Sequence, residues 1–305
     1  MAAVQSPHSS TVVSEAAHFR DVYYDSADGL RLYARDYARV ASPLTPVLCL
    51  PGLTRNSKDF ETVAPTLALH RRVIVADFRG RGLSQYASDP ASYRPDVELA
   101  DTIALLNHLE IERVAVIGTS RGGLVAMLMA TLHRDKLAGI LLNDIGAVLE
   151  LQGLLRIRSY LGVETVYASW EQAVEAIKAS NLGFESLSGD EWLAFARRLF
   201  KSENGLPKMD YDPALANGFA SAEDIAAGRI SQIWDLFAAT GGMPLSILRG
   251  ENSDLLSAAT VAEMQLRNPG LEATVIARRG HAPFLDEPGS KAAIQRWLKR
   301  VDANA

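Results

Sequence analysis

The segment VAVIGTSRGGLVAM places a serine between a β-branched apolar run and a second, longer apolar run. Within it, Gly118-Thr119-Ser120-Arg121-Gly122 has the spacing G-x-S-x-G. A serine hydroxyl is a weak nucleophile until a base removes its proton, and it must project from a sharp turn for base and substrate to reach it. A strand-to-helix turn demands dihedrals that most residues resist, and flanking glycines leave room for it. The helix that follows offers unbonded N–H groups and a partial positive charge where an oxyanion would develop. The bare pattern arises by chance about one time in ten in a chain of this length. Its setting between a strand and an apolar helix gives it weight, and the chemistry it points to is acyl transfer through Ser120.

Other residues with chemical potential read as structural. Gly80-Arg81-Gly82 follows a strand, but a dinucleotide-binding turn needs Gly or Ala where Gln85 stands, so no nucleotide site is expected. Asp77 and Arg79 hold that loop. Cys49 lies inside an apolar run and reads as a small core residue. No His, Cys or carboxylate cluster has metal-ligand spacing, so neither a metal nor a cofactor is expected. Trp170, Trp192, Phe195 and Phe200 fall at helical positions, mostly as core, with one or two turned toward a substrate. The Arg55 and Arg121 side chains could meet an acidic substrate, but read as exposed and solvated.

The elements that must position Ser120 can be traced along the chain. FRDVYYDSADGLRLYARDY is two short runs split by Asp28-Gly29, a hairpin signal. Val47–Leu50, Val73–Ala76 and Val114–Ile117 are short apolar runs bounded by turn residues, as expected of strands buried on both faces. DVELADTIALLNHLE has Leu99, Ile103 and Leu106 at helical spacing, and LVAMLMATLH after Ser120 is apolar nearly all round. Leu137–Leu142, Leu245–Leu248 and Ala273–Ala277 continue the strands, and KAAIQRWLKR closes the chain as an amphipathic helix. This alternation predicts an α/β fold, a mostly parallel central sheet with helices on both faces. Residues 145–221 break the rhythm with helical patterns and no convincing strand, so they are expected to form a helical cap inserted over the C-terminal edge of the sheet. The core then comprises residues 18–144 and 222–305, preceded by a loose N-terminal segment at 1–17.

From Phe19 to Val301 the chain resembles the α/β-hydrolase superfamily. VLCLPGLTRNSKDF resembles the loop after the third strand, VIVADFRGRGLS the D-x-R-G-x-G-x-S stretch after the fourth, LSILRGENSDLLS the acid-bearing loop and RRGHAPFLDEP the histidine loop. The resemblance implies the chain order Ser, Asp, His, hence Ser120, Asp254 and His281. Of the six histidines, only His281 lies far enough downstream, since His133 ends the helix after Ser120 on the side away from the turn. Asp254 follows PLSILRG by a short loop, where a carboxylate can fix the tautomer of the histidine. Asp144, at the end of the preceding strand, is the rival; a few relatives carry the acid there, but here it is read as ordering the entry to the insertion. The oxyanion donors implied are the peptide N–H of Arg121 and that of Leu53, in a Pro51-Gly52-Leu53 turn where many relatives have His-Gly.

The bulk properties fit. A chain of 305 residues with 48% hydrophobic and 22% charged residues can build a core, and its net charge of −5 argues against nucleic acid or an anionic membrane as partner. A single cysteine cannot form an internal disulfide, the N-terminus lacks the pattern of a signal peptide, and a cytoplasmic location is expected. The oligomeric state cannot be read. Serine at the turn excludes the family's aspartate-dependent dehalogenases and epoxide hydrolases. The expectation is a carboxylic ester hydrolase acting on small-molecule esters in a largely apolar pocket under the cap. Lactone, thioester and carbon–carbon hydrolysis share the same residues, and a silent binding protein on this fold is the remote alternative.

Overall fold

The computed structural model describes residues 19–38 and 41–304, so the expected loose segment 1–17 lies outside the described residues. The first strands, β1 (Arg20–Asp25) and β2 (Arg31–Tyr37), form the antiparallel hairpin that Asp28-Gly29 signals, with Gly29 at φ +81°. Then follow β3 (Val47–Leu50), helix α1 (Val63–Leu67), β4 (Val73–Asp77), α2 (Pro95–His108), β5 (Val114–Thr119), α3 (Arg121–Leu132) and β6 (Leu137–Asn143). The chain leaves the sheet through α4 (Leu151–Tyr160), α5 (Trp170–Ser180) and α6 (Gly189–Leu199), the strands β7 (Phe200–Glu203) and β8 (Leu206–Met209), and the short helices α7 (Ala222–Ala226) and α8 (Trp234–Ala238). It returns with β9 (Leu245–Gly250), α9 (Ala258–Arg267), β10 (Leu271–Ile276) and α10 (Pro288–Asp302).

Eight strands make one sheet in the order β1-β2-β4-β3-β5-β6-β9-β10; β2 pairs antiparallel with both its neighbours and all other pairs are parallel. The central strands are apolar throughout because both their faces are covered. Alternate residues go to opposite sides: Leu48, Leu50, Ile74, Ala76, Val114 and Val116 pack with α2, α3, α8 and α9, while Val47, Cys49, Val73, Val75, Ala115 and Ile117 pack with α1 and α10. Cys49 is thus the core residue expected, and burial pushes its thiol pKa up.

The chain runs from β3 outward to β4, then crosses to the other side of β3 as β5. Parallel sheets open a crevice beyond the strand ends at such a reversal. The loops after β3, β5, β6 and β10 all meet there. Two details of the inserted block differ from the sequence reading. It contains strands after all, since β7 and β8 pair as a small antiparallel hairpin through Asn204-Gly205. Its packing also passes Ser221: Ile225 of α7 is buried against Leu154 and Ile157 of α4. Among the described residues no helix is long and apolar enough to cross a membrane.

Candidate active site

Ser120 stands alone between β5 and α3 with φ 50° and ψ −111°, a strained conformation that turns its side chain out of the sheet. Its neighbours explain why this turn needs glycine. A Cβ on Gly122 would come within 2.2 Å of the Leu50 carbonyl oxygen, and one on Gly118 within 2.6 Å of the Gly122 backbone. The G-x-S-x-G spacing is therefore a packing requirement of the strand–turn–helix crossing as well as a signature.

The Ser120 Oγ lies 2.9 Å from Nε2 of His281, which the loop after β10 carries back over the sheet edge. On the other side of the ring, Nδ1 is 2.7 Å from Oδ2 of Asp144. A carboxylate only accepts, so Nδ1 holds the proton and Nε2 is left to accept from the serine hydroxyl. Asp144 is fully buried at the end of β6, with φ 57°. Its Oδ1 accepts from the Gly250 N–H at 2.7 Å and its Oδ2 from the Ser253 hydroxyl at 2.6 Å. Asn143 ties the same corner together, donating through Nδ2 to Thr119 Oγ1 and to the Pro283 carbonyl.

Asp254 does not meet the histidine as expected. Its carboxylate takes a two-pronged bond from Arg156 of α4, Nε to Oδ2 at 2.5 Å and a terminal nitrogen to Oδ1 at 2.8 Å. Burial alone would raise this carboxyl, but the Arg156 bonds outweigh it and hold the group below the ordinary carboxylate range. The Asp254 carbonyl also accepts from Gly153 N–H at 3.0 Å. Asp254 thus fastens α4, the first helix of the inserted block, to the loop after β9, while Asp144, read from sequence as ordering the entry to the insertion, is the carboxylate against His281 Nδ1. Ser253 and Asn143 are the site residues that sequence reasoning missed. Each neighbours one of the two candidate aspartates, which was the available signal.

The Gly52-Leu53 turn lies beside the serine: a Cβ on Gly52 would be 3.9 Å from Ser120 Cβ, and Leu53 lines the same cavity as Ser120. The Leu53 N–H has no acceptor among the described residues. The Arg121 N–H opens α3, where a helix leaves its donors unbonded. One buried charge network holds both turns. Arg81 donates from Nε to the Leu53 carbonyl at 2.7 Å and pairs with Glu98 at 2.8 Å; Glu98 in turn accepts from Arg121 Nε at 2.6 Å. Glu98 is fully buried, yet its two arginines outweigh burial and hold its carboxyl below the ordinary range. Arg121 is therefore a structural strut, not the solvated side chain expected. Replacing Glu98 by Ala leaves two guanidinium groups without their counter-ion, and should lower the unfolding free energy by about 3–5 kcal/mol. Urea unfolding measures this, and a loss below about 1 kcal/mol would contradict the strut.

Asp77 and Arg79 hold their loop as read from sequence. Asp77 accepts from the Ser57 and Leu83 N–H groups, and Arg79 pairs with Asp28 and Asp101.

Ser120 and His281 open into a cavity of about 270 Å³ between the sheet edge and the inserted helices. Its walls include Ile157, Ile177, Phe195, Leu199 and Phe200, as the helical pattern of the insertion led one to expect. They are less uniformly apolar than expected, because Arg55, Asp59, Asn181 and Arg198 also line it. Arg55 is no solvated residue either: its guanidinium is taken up by Asp59 and lies over the Phe195 ring.

Comparison with known proteins agrees with this fold. Residues 47–293 match the model of the Alpha/beta hydrolase family. The chain is 33% identical over 275 residues to the 3-hydroxybutyrate-oligomer hydrolase of Cupriavidus necator, covering 88% of this chain and 93% of that one. A shorter stretch of 92 residues, 30% of this chain and 32% of the other, is 36% identical to a 2-hydroxymuconate semialdehyde hydrolase from a Pseudomonas species. The crystal structure of an alpha/beta hydrolase from Novosphingobium aromaticivorans superposes with a TM-score of 0.86 at 42% identity, covering 93% of this chain and 99% of that one. With the sheet order, the strained serine and the family match in agreement, the chain belongs to the alpha/beta hydrolase family.

Proposed function

We propose that this protein is a serine hydrolase that cleaves carboxylic esters through an acyl-enzyme, with ester-linked oligomers of a short hydroxy acid as its substrate class. The observation that carries the reading is the continuous run of contacts from Ser120 Oγ through His281 to the buried Asp144. Ser120 is the nucleophile, His281 the base, and Asp144 the carboxylate that keeps the proton on Nδ1 and offsets the charge the ring acquires. As Oγ attacks the ester carbonyl, Nε2 takes its proton and the peptide N–H groups of Leu53 and Arg121 face the oxygen that becomes negative. Collapse breaks the C–O bond, His281 returns the proton to the departing alcohol, and water repeats the sequence on the acyl-enzyme. The substrate class follows from the similarity, along nearly the whole chain, to the 3-hydroxybutyrate-oligomer hydrolase. An oligomer of a hydroxy acid joined head to tail is a row of esters.

Hydrolysis of the ester-linked 3-hydroxybutyrate dimer and trimer, beside a chain-length series of p-nitrophenyl esters, tests the reading. Turnover of the oligomers is expected, together with several short and medium acyl esters, because apolar walls separate substrates by only about 1–3 kcal/mol per methylene. Every proton and charge in the cycle belongs to a side chain or peptide, so a chelator should leave the rates unchanged. A second reading, carbon–carbon cleavage of a dienoic diketone, is favoured by the short similarity to the 2-hydroxymuconate semialdehyde hydrolase. Fast cleavage of such a diketone with no turnover of any ester, or loss of activity on chelation, would overturn the ester reading.

A further inference from the structure

The cavity wall holds one cation whose hydrogen-bonding capacity the protein leaves largely unused. Arg198 lies in the last turn of α6, a helix whose start is fixed by a capping box between Ser188 and Glu191. Its side chain is only 14% exposed, and it lines the same cavity as Ser120 and His281. A guanidinium carries five N–H donors in a rigid fork. Among the described residues one protein acceptor engages it, Asp286 Oδ2, at a long 3.3 Å. Arg55, the other arginine of the cavity, differs, since Asp59 accepts from it through both oxygens.

Arg198 is also held in place. Its guanidinium carbon sits 5.4 Å from the centre of the Phe284 ring, in the same loop as His281. Phe284 in turn stacks on Phe184 at 5.1 Å and leans on Phe195 at 4.8 Å. A guanidinium steadied over an aromatic wall loses little freedom when it binds, and its fork matches a carboxylate with two parallel hydrogen bonds. A neutral ligand in the same cavity forgoes these charge-assisted bonds and should be the slower, though still accepted, substrate.

We infer that Arg198 anchors a carboxylate carried by the substrate away from the scissile ester, so that the enzyme selects acidic esters over neutral ones. The inference rests on the ester reading above and narrows it. The free acid end of a hydroxy acid oligomer is such a group, at a fixed distance along the chain from the last ester bond.

The test compares the ester-linked dimer of 3-hydroxybutyrate with its terminal carboxamide, which has the same size and the same single ester but no charge. Wild-type kcat/KM is expected to favour the acid by about ten- to a hundredfold, as for one hydrogen-bonded charge. Arg198→Gln should bring this ratio to near one, with the loss on the acid carried by KM. Arg198→Met, which keeps the apolar stem and removes the charge, should do the same and serves if the Gln variant does not fold. A wild-type ratio near one, or a ratio that either folded variant leaves intact, overturns the carboxylate anchor while the ester reading stands. Failure to cleave both dimers and every p-nitrophenyl ester would overturn the ester reading, and the anchor with it.

Discussion

Asp144→Asn should lower kcat by about 10⁴-fold, while Asp254→Asn stays within about tenfold of wild type. The two residues follow neighbouring strands, and the sequence favours Asp254. Only Asp144 reaches Nδ1, at 2.7 Å, and it does so fully buried, with its second oxygen held by the Gly250 N–H. An asparagine there could offer its NH2 to the ring, which reverses the tautomer and puts the proton on Nε2, where the base must be free. Asp254→Asn instead weakens the grip on Arg156 and loosens α4, a cost in stability and in cap position. Steady-state kinetics on both variants, with circular dichroism to confirm folding, checks the pair. The account fails at this residue if Asp254→Asn proves the more damaging of two folded proteins.

The choice between the two aspartates is where the sequence stops being legible. The places of Ser120 and His281 are legible because each sits in a setting that leaves few options: glycines at Gly118 and Gly122 that backbone contact forces, and a histidine in the loop after the last strand. The sheet could be read for the same kind of reason. A strand buried on both faces must be apolar throughout, and the central strands β3, β4 and β5 are buried at every residue. Which acid faces the ring depends instead on a side-chain partner from another part of the chain. Arg156 comes from the cap, about a hundred residues before Asp254 in sequence, and nothing local at LSILRGENSDLLS announces it. The inserted block is legible as helices, but its hairpin is not, although Asn204-Gly205 between two short runs is a strong turn signal. The runs are four residues each, too short for their alternation to register against the helical pattern beside them. The polar character of the cavity is not legible because Arg198 reads as an ordinary basic residue in the last turn of a helix, and only packing reveals that it lines the cavity.

On the proposed mechanism Ser120→Ala carries the other large effect, a fall in kcat of about 10⁴-fold or more, since a nucleophile and its base act as a unit and the remaining hydrogen-bond donors cannot form an acyl-enzyme. The most direct measurement of the central claim is covalent. A fluorophosphonate transfers its phosphorus to an activated serine, forming a P–O bond to Oγ as fluoride leaves and His281 takes the proton. Intact-protein mass spectrometry of the wild type should show one adduct per chain, peptide mapping should place it on Ser120, and Ser120→Ala should remain unlabelled. A wild-type chain that stays unmodified, or an adduct on any residue other than Ser120, would contradict the account.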